Sequence, residues 1–340
     1  MNTQSITFEP FEAHHLEEAT ALSRVAGWPH RKEDWAMIWS LSKGQVALEA
    51  GKVVGTAFMT PFGNTCATLN TIIVDEAMRG RGLGRRLTTT ALEQAGDREC
   101  RLTATADGLP LYEKLGFVAA HDVRQHQGTV GQVSAPPAVE WIGSEQLPTL
   151  TALDRAAFGA DRAALINALA GKGRFAAITN EDGFAALAAV RAFGRGEVVG
   201  PVVAEDRDQA RALIAFILSG MKGRFVRIDI PEDAGLSPWL EGLGLAHVGG
   251  PIAMLRGRKQ YPGLHERTHL CLGQPGPRLR PTSQKAIDQV GRSPCAPGPR
   301  CAKTHRSSMR RLTAGTSRHV TRMAIIGGRP SFAVKSTGVA

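Results

Sequence analysis

The apolar positions of the first 126 residues follow two periods in turn. Ile6 to Pro10 alternates as a short strand. His14 to Ala26 places Leu16, Ala19, Leu22 and Val25 or Ala26 at helical spacing, and Lys32 to Leu41 puts Trp35, Ile38 and Trp39 on one side of a second helix. Gln45 to Glu49 and Val53 to Thr60 read as a hairpin around Ala50-Gly51-Lys52, and Thr65 to Val74 as another strand. A strand at Arg101 to Ala106 and a short helix through Pro110-Leu111-Tyr112-Glu113-Lys114-Leu115-Gly116-Phe117 follow, with Gly116 placed as the left-handed residue that closes the helix.

The pattern then repeats. His15-Leu16-Glu17-Glu18-Ala19-Thr20-Ala21-Leu22-Ser23-Arg24 recurs as Gln146-Leu147-Pro148-Thr149-Leu150-Thr151-Ala152-Leu153-Asp154-Arg155, and Pro110 to Phe117 recurs as Pro238-Trp239-Leu240-Glu241-Gly242-Leu243-Gly244-Leu245. The offsets, 131 and 128, nearly agree, so one unit of domain size is duplicated. The reading is two α/β domains, residues 1–131 and 138–257, joined by the linker 132–137 (Gln132-Val133-Ser134-Ala135-Pro136-Pro137).

The candidate chemistry lies where the strand ending at Val74 runs into Asp75-Glu76-Ala77-Met78-Arg79-Gly80-Arg81-Gly82-Leu83-Gly84-Arg85-Arg86-Leu87. Glycines let the backbone approach a ligand, the next helix offers unpaired N–H groups and its positive dipole end, and the arginines favour an anion. The glycines fall as G-x-G-x-G with Leu87 at the third position of a dinucleotide fingerprint, and Gly84-Arg85-Arg86 lacks the Lys-Ser/Thr of a P-loop. The spacing matches R-x-x-G-x-G at Arg79, Gly82 and Gly84, and this segment, followed by the Tyr112 helix ending in Leu115-Gly116-Phe117, resembles the acyl-CoA-binding signature of the GNAT acyltransferase superfamily.

That resemblance implies a mixed-sheet α/β fold in the order strand, two helices, three strands, helix, strand, helix, strand. It implies acetyl-CoA as co-substrate and no metal, with the backbone near Ile72, Ile73 and Val74 pairing with pantetheine and Arg79, Gly80, Arg81, Gly82, Leu83, Gly84 and Arg85 holding the diphosphate. A primary amine then attacks the thioester directly, a backbone N–H steadies the oxyanion, and Tyr112 protonates the leaving thiolate. The family's usual glutamate base has no counterpart, because the comparable region reads Leu69-Asn70-Thr71. His14, His15, Glu49 and His30 are the alternatives, each more readily a solvated surface residue; water relay to a partly neutral amine is another route. Trp28, His30 and Asn70 are the candidate acceptor-site residues, whereas Trp35 reads as core. Neither amino acid, polyamine, antibiotic nor protein amine is singled out as acceptor.

The second copy reads as degenerate. About Glu205-Asp206-Arg207-Asp208-Gln209-Ala210 stands opposite the phosphate turn, and Leu240 stands where the first copy has Tyr112. The competing class is a non-catalytic tandem protein that binds acyl-CoA and reports its level to a partner; intact Tyr112 and the intact turn favour the enzyme.

Composition changes the picture only at the C-terminus. The net charge of +10 divides into +14 for residues 258–340, with 16 Lys/Arg and 2 Asp/Glu, and −4 for residues 1–257. The basic segment is rich in Arg, Pro, Ser and Gly, holds Cys271, Cys295 and Cys301, and has no sustained period except near Met323 to Ile326. It reads as a disordered tail: a basic arm attracting nucleic acid or acidic partners, or the product of a shifted reading frame, since the second copy ends one turn and strand short at Arg256 to Lys259. The expected partners are otherwise a small-molecule or peptide amine and a second copy in a homodimer, with no membrane. Met1-Asn2-Thr3-Gln4-Ser5 lacks a signal region and no apolar run reaches 18 residues, so the expected location is the cytoplasm. Cys66 and Cys100 fall in strands and read as reduced core residues.

Overall fold

The computed structural model describes residues 5–257 apart from 182, together with 323–325. The first half runs β1 (Ile6–Pro10), α1 (Leu16–Val25), α2 (Lys32–Ser40), β2 (Lys43–Glu49), β3 (Lys52–Phe62), β4 (Cys66–Val74), α3 (Leu83–Ala95), β5 (Glu99–Ala104), α4 (Leu109–Lys114) and β6 (Val118–Thr129). This is the expected order of elements. The second half repeats it as β7 (Glu140–Ile142), α5 (Leu147–Phe158), α6 (Ala163–Ala170), β8 (Gly173–Asn180), β9 (Gly183–Phe193), β10 (Gly196–Ala204), α7 (Arg207–Ser219), β11 (Phe225–Pro231), α8 (Ser237–Gly242), β12 (Ala246–His247) and β13 (Ile252–Arg256). β14 (Met323–Ile325) comes from the tail.

Helical spacing decides what each helix buries. In α3, Leu83, Leu87, Ala91 and Ala95 recur every four residues and pack on Ala67, Leu69, Leu102 and Ala104 of the sheet, under Tyr112 and Phe117. Leu87 is fully buried, a burial that contributes about 1.5 to 3 kcal/mol. On the other face, Leu16, Ala19 and Leu22 of α1 and Trp35 of α2 cover Val46, Phe58 and Ile73. Met37 of α2 joins Leu150, Ile166, Phe175 and Leu187 of the second half, so the two halves share core.

The sheet runs β1-β2-β3-β4-β5-β13-β6-β11-β10-β9-β8-β7, with β12 beside β6 and β14 beside β10. Its centre is a strand exchange. β6 starts in the first half's sheet, where His121 and Asp122 pair with Ala253 and Ile252 of β13, and continues as Val123 to Thr129 along β11 of the second half. The corresponding stretch of the second half starts as β12 and crosses as β13 into the gap between β5 and β6. Crossing at Gly249-Gly250-Pro251 brings backbones close: the Gln125 N–H donates to the Gly249 carbonyl (2.8 Å), and a Cβ on Gly250 would collide with the Val123 carbonyl. Neither half therefore owns the last strand of its sheet. The shortfall expected at Arg256 to Lys259 is corrected: β12 and β13 are the second copy's counterpart of β6, and each copy closes the other's sheet with its crossing strand.

Of the expected disordered tail, residues 258–322 and 326–340 lie outside the described residues. The short apolar run is corrected to a strand, for Met323 to Ile325 pair antiparallel with Ala204 to Val202 of β10. No helix among the described residues is long and apolar enough to cross a membrane. Cys66 and Cys100 are buried thiols; burial pushes that of Cys100 up to about 11.

Candidate active site

β4 and β5 run side by side, parallel, only from Cys66–Glu99 to Thr68–Arg101. Beyond that the strands part. A bulge helps to turn β4 away: the pairing with β3 shifts between Thr56–Ile73 and Phe58–Asn70, Thr71 takes φ +45°, and the Thr56 hydroxyl donates to the Thr71 carbonyl (2.7 Å). The result is an edge through Ile72, Ile73 and Val74 facing an open splay.

The splay leads to the glycine turn. Met78 is buried in the core beneath it, and Gly80 and Gly82 adopt φ +79° and +81°, a region where an L side chain is strained. Gly82 is the N-cap of α3, whose first backbone bond is Arg86 N–H to the Gly82 carbonyl (3.1 Å). The amides of Leu83, Gly84 and Arg85 thus have no acceptor within the helix, and the positive end of the dipole faces the turn. Arg79, Arg81 and Arg85 surround it on the surface. Arg79 leans to Asp107 (3.6 Å), Arg81 donates to Glu49 (2.8 Å), and Arg86 instead covers the Phe8 ring (3.8 Å).

Tyr112 lies buried on α4, with Phe117 edge-on at 6.0 Å. Burial among apolar groups pushes its phenol well above the ordinary value, so it stays protonated at every working pH. On the opposite face of the sheet Asn70 donates to the Thr60 hydroxyl (2.8 Å), which lies 2.6 Å from that of Ser42, giving a polar string beside the splay. Trp28 and His30 sit in the α1–α2 connection. Trp28 packs into the core with Phe11 and Trp35, while His30 contacts Trp28, Trp35 and Phe193 of the second half with ring centroids 5.5–6.0 Å away. Neither ring nitrogen of His30 has a partner among the described residues, and burial, reinforced by Arg227 and Arg191 against Asp34, lowers its pKa to about 3.

Of the remaining base candidates His14 is exposed, and the other two are occupied. Glu49 is held by Arg81, and His15 Nε2 lies 3.0 Å from Glu9 while its Nδ1 accepts the Glu12 N–H. Glu9, His14 and His15 gather ligand atoms within 4.8 Å, yet that Nδ1 bond puts the imidazole proton on Nε2, leaving His15 no lone pair for a metal. His121 on β6, which sequence reasoning passed over, is half-buried, and its orientation depends on a pairing with β13 that no local pattern reveals.

In the second half the turn is deleted as well as altered. Eight residues, Asp75 to Gly82, separate β4 from α3, but only Glu205 and Asp206 separate β10 from α7. The Asp206 carboxylate caps α7 by accepting the Gln209 N–H (2.8 Å), so an anion of the chain itself fills the helix end. Leu240 packs in the core in place of Tyr112.

The acetyltransferase (GNAT) domain family matches residues 37–119 and, separately, 150–269, the second match running past the domain end expected at 257. The uncharacterized N-acetyltransferase YitH of Bacillus subtilis (strain 168) is 30% identical over 241 residues, 64% of this chain and 81% of the relative. The holothin acyltransferase of Pseudoalteromonas sp. (strain SANK 73390) is 28% identical over 199 residues, covering 57% and 68%. A putative acetyltransferase from Pyrococcus horikoshii shares the fold with TM-score 0.65 at 19% identity, over 76% of this chain and 92% of that one. A tandem GNAT protein from the clavulanic acid pathway does so at 0.55 and 16%, over 76% and 100%. With two GNAT domains in one chain and relatives that are acyltransferases, this protein belongs to the GNAT acetyltransferase family as a tandem member.

Proposed function

We propose that the first half transfers an acetyl group from acetyl-CoA to a primary amine by direct attack in a ternary complex, and that the second half binds no CoA. The observation that carries this reading is the glycine-capped helix end beside the β4–β5 splay; the second half parts β10 from β11 in the same way but replaces the glycine turn by two residues under Asp206.

Pantetheine adds to the edge of β4 at Ile72 to Val74 as a strand would, and the diphosphate meets the amides of Leu83, Gly84 and Arg85 with Arg79, Arg81 and Arg85 around it. The thioester then lies in the splay with its oxygen toward a β4 amide, a contact worth about 3 to 4 kcal/mol to the oxyanion. The amine approaches over Asn70, under the α1–α2 connection that carries Trp28 and His30. Its nitrogen forms the new C–N bond as the C–S bond breaks, and the thiolate takes up a proton from the side of Tyr112.

The test is CoA release from acetyl-CoA, followed with the full chain against free amino acids, diamines, aminoglycosides and a lysine-containing peptide. Turnover with at least one class, without a burst of acetyl-enzyme, is the expected result. Acetyl-CoA binding with no turnover on any of them would leave the protein a binder.

A further inference from the structure

One row of side chains crosses the sheet at the level where β4 and β5 part. Thr103 pairs with Ala253, and Ala253 with His121, so the three project from the same side of β5, β13 and β6. Their neighbours Leu102, Ala104 and Met254 lie in the core under α3 and α4, so the row points the other way, onto the face of the α1–α2 connection. On β4 the parallel register puts Thr68 beside Arg101, hence Asn70 at the level of Thr103, and Asn70 shares the face of Thr60, opposite Leu69 in the core. Asn70, Thr103, Ala253 and His121 are each half-buried, as the floor of a cleft is.

His121 is the one ionisable group in that row. The other acids and histidines near this face are already engaged: Glu99 by Arg101, Asp229 by Arg227, and Asp34 by Arg31, Arg191 and the Gly194 N–H. His30 is kept neutral by burial far below the range of a useful base. Across from His121, Ala253 and Thr103 carry no charge; Asp122 follows it on β6 and projects from the other side, and Asp233 lies in the turn after β11, where Glu232 is paired with Arg124. Burial lowers the pKa of His121 and the two aspartates oppose that, so the imidazole is neutral near pH 7 and has carboxylates close by to steady it once protonated.

We infer that His121 takes the proton of the acceptor amine, through intervening water, in the acetyl transfer proposed above. The inference rests on that reading of the first half. β6 stands two strands from β5, about 10 Å at the usual spacing, with the splay on the far side of β5, so the imidazole meets the reacting nitrogen through a chain of waters. The ammonium gives one proton by that route to an imidazole nitrogen, and the neutral amine's lone pair attacks the thioester carbon. When the tetrahedral adduct collapses the C–S bond breaks, the thiolate accepts the second proton leaving the nitrogen, directly or by way of Tyr112, and imidazolium returns its own to solvent. The strand that aligns His121 with the splay, β13, comes from the second half, which gives the degenerate copy a part in the chemistry of the first.

The experiment compares the full chain with His121→Gln and His121→Phe, using an alkyl diamine as a strongly basic acceptor and a hydrazide, neutral at assay pH, as a weakly basic one. With the diamine, kcat should fall about 10- to 10,000-fold and the acid limb of kcat/KM, set in the parent by a group titrating below 6.5, should give way to a rise that follows the amine's own ionisation, while acetyl-CoA affinity by calorimetry stays as it was. The hydrazide arrives without a proton to lose, so its turnover should change far less. Equal loss on both acceptors, or an acid limb unmoved in position in a folded variant, overturns the role of His121. Should the Phe variant not fold, the Gln variant carries the same readouts. Absence of turnover by the unaltered chain on every amine refutes the transferase reading instead, a distinct result.

Discussion

Tyr112 and His30 show how burial sets what a side chain can do. With its phenol pushed up by apolar surroundings, Tyr112 cannot be the source of an alkaline limb, and in the proposed reaction it gives up a proton only as the thiolate forms beside it. Tyr112→Phe is therefore expected to lower turnover about 10- to 10,000-fold with little change in acetyl-CoA affinity; equal turnover would make it a packing residue for Phe117. His30 works in the opposite sense, being neutral when folded and protonated when unfolded between about pH 6.5 and about 3. In that window the unfolded chain binds the extra proton, so this residue makes stability fall as pH falls, by about 1.4 kcal/mol per pH unit. Denaturant melts of His30→Phe should lose less stability than the parent between pH 6 and pH 4, and parallel curves would show that the imidazole is protonated or hydrated in the folded protein. The two residues also mark what was legible in the chain. Tyr112 announced itself by its place before Leu-Gly-Phe, and His30 by sitting in a turn, but its depth under Phe193 depended on a residue far along the sequence.

At the scale of elements, a glycine turn works because three local requirements coincide: positive φ at Gly80 and Gly82, a helix start with amides to spare, and room above them. A Cβ at Gly82 would meet no atom within 4 Å, so Gly82→Glu should cost only the strain of its backbone while setting a carboxylate at the proposed diphosphate site. Calorimetry is expected to show acetyl-CoA binding abolished and a protein still folded; unchanged affinity would remove the cofactor site from this turn. Spacing alone was enough to find the turn itself, between the end of β4 and the start of α3. The second copy was harder, because a repeat aligned residue by residue suggests substitution of arginine and glycine by acids, whereas the turn has been cut from eight residues to two. A deletion leaves no residue to read. The strands β12 and β13 were equally opaque, since a crossing through Gly249-Gly250-Pro251 carries the same local pattern as a surface turn.

The two halves are joined by that crossing, and its consequence for the C-terminus can be measured. β13 supplies the hydrogen bonds between β5 and β6 and sets Met254 in the core with Leu102 and Tyr112, so the first half's site depends on residues more than a hundred positions away. The basic segment stands in a different relation, its described strand lying on β10 of the second half, at the residues that correspond to Ile72 to Val74, the proposed pantetheine edge of the first. A chain ending at Gly257 keeps every strand of the first half and is expected to retain one acetyl-CoA site of unchanged affinity, with nearly unchanged melting temperature. One ending at Val248 loses β13, leaves the edges of β5 and β6 unpaired, and should neither bind acetyl-CoA nor melt cooperatively. Titration calorimetry and thermal melts of the two truncations against the full chain decide the matter. A Gly257 chain with lost affinity would tie the tail to the site; a Val248 chain with an intact site would show that the first half closes its sheet without its twin; and two equivalent sites in either binding-competent chain would mean that the carboxylate of Asp206 does not bar CoA from the second.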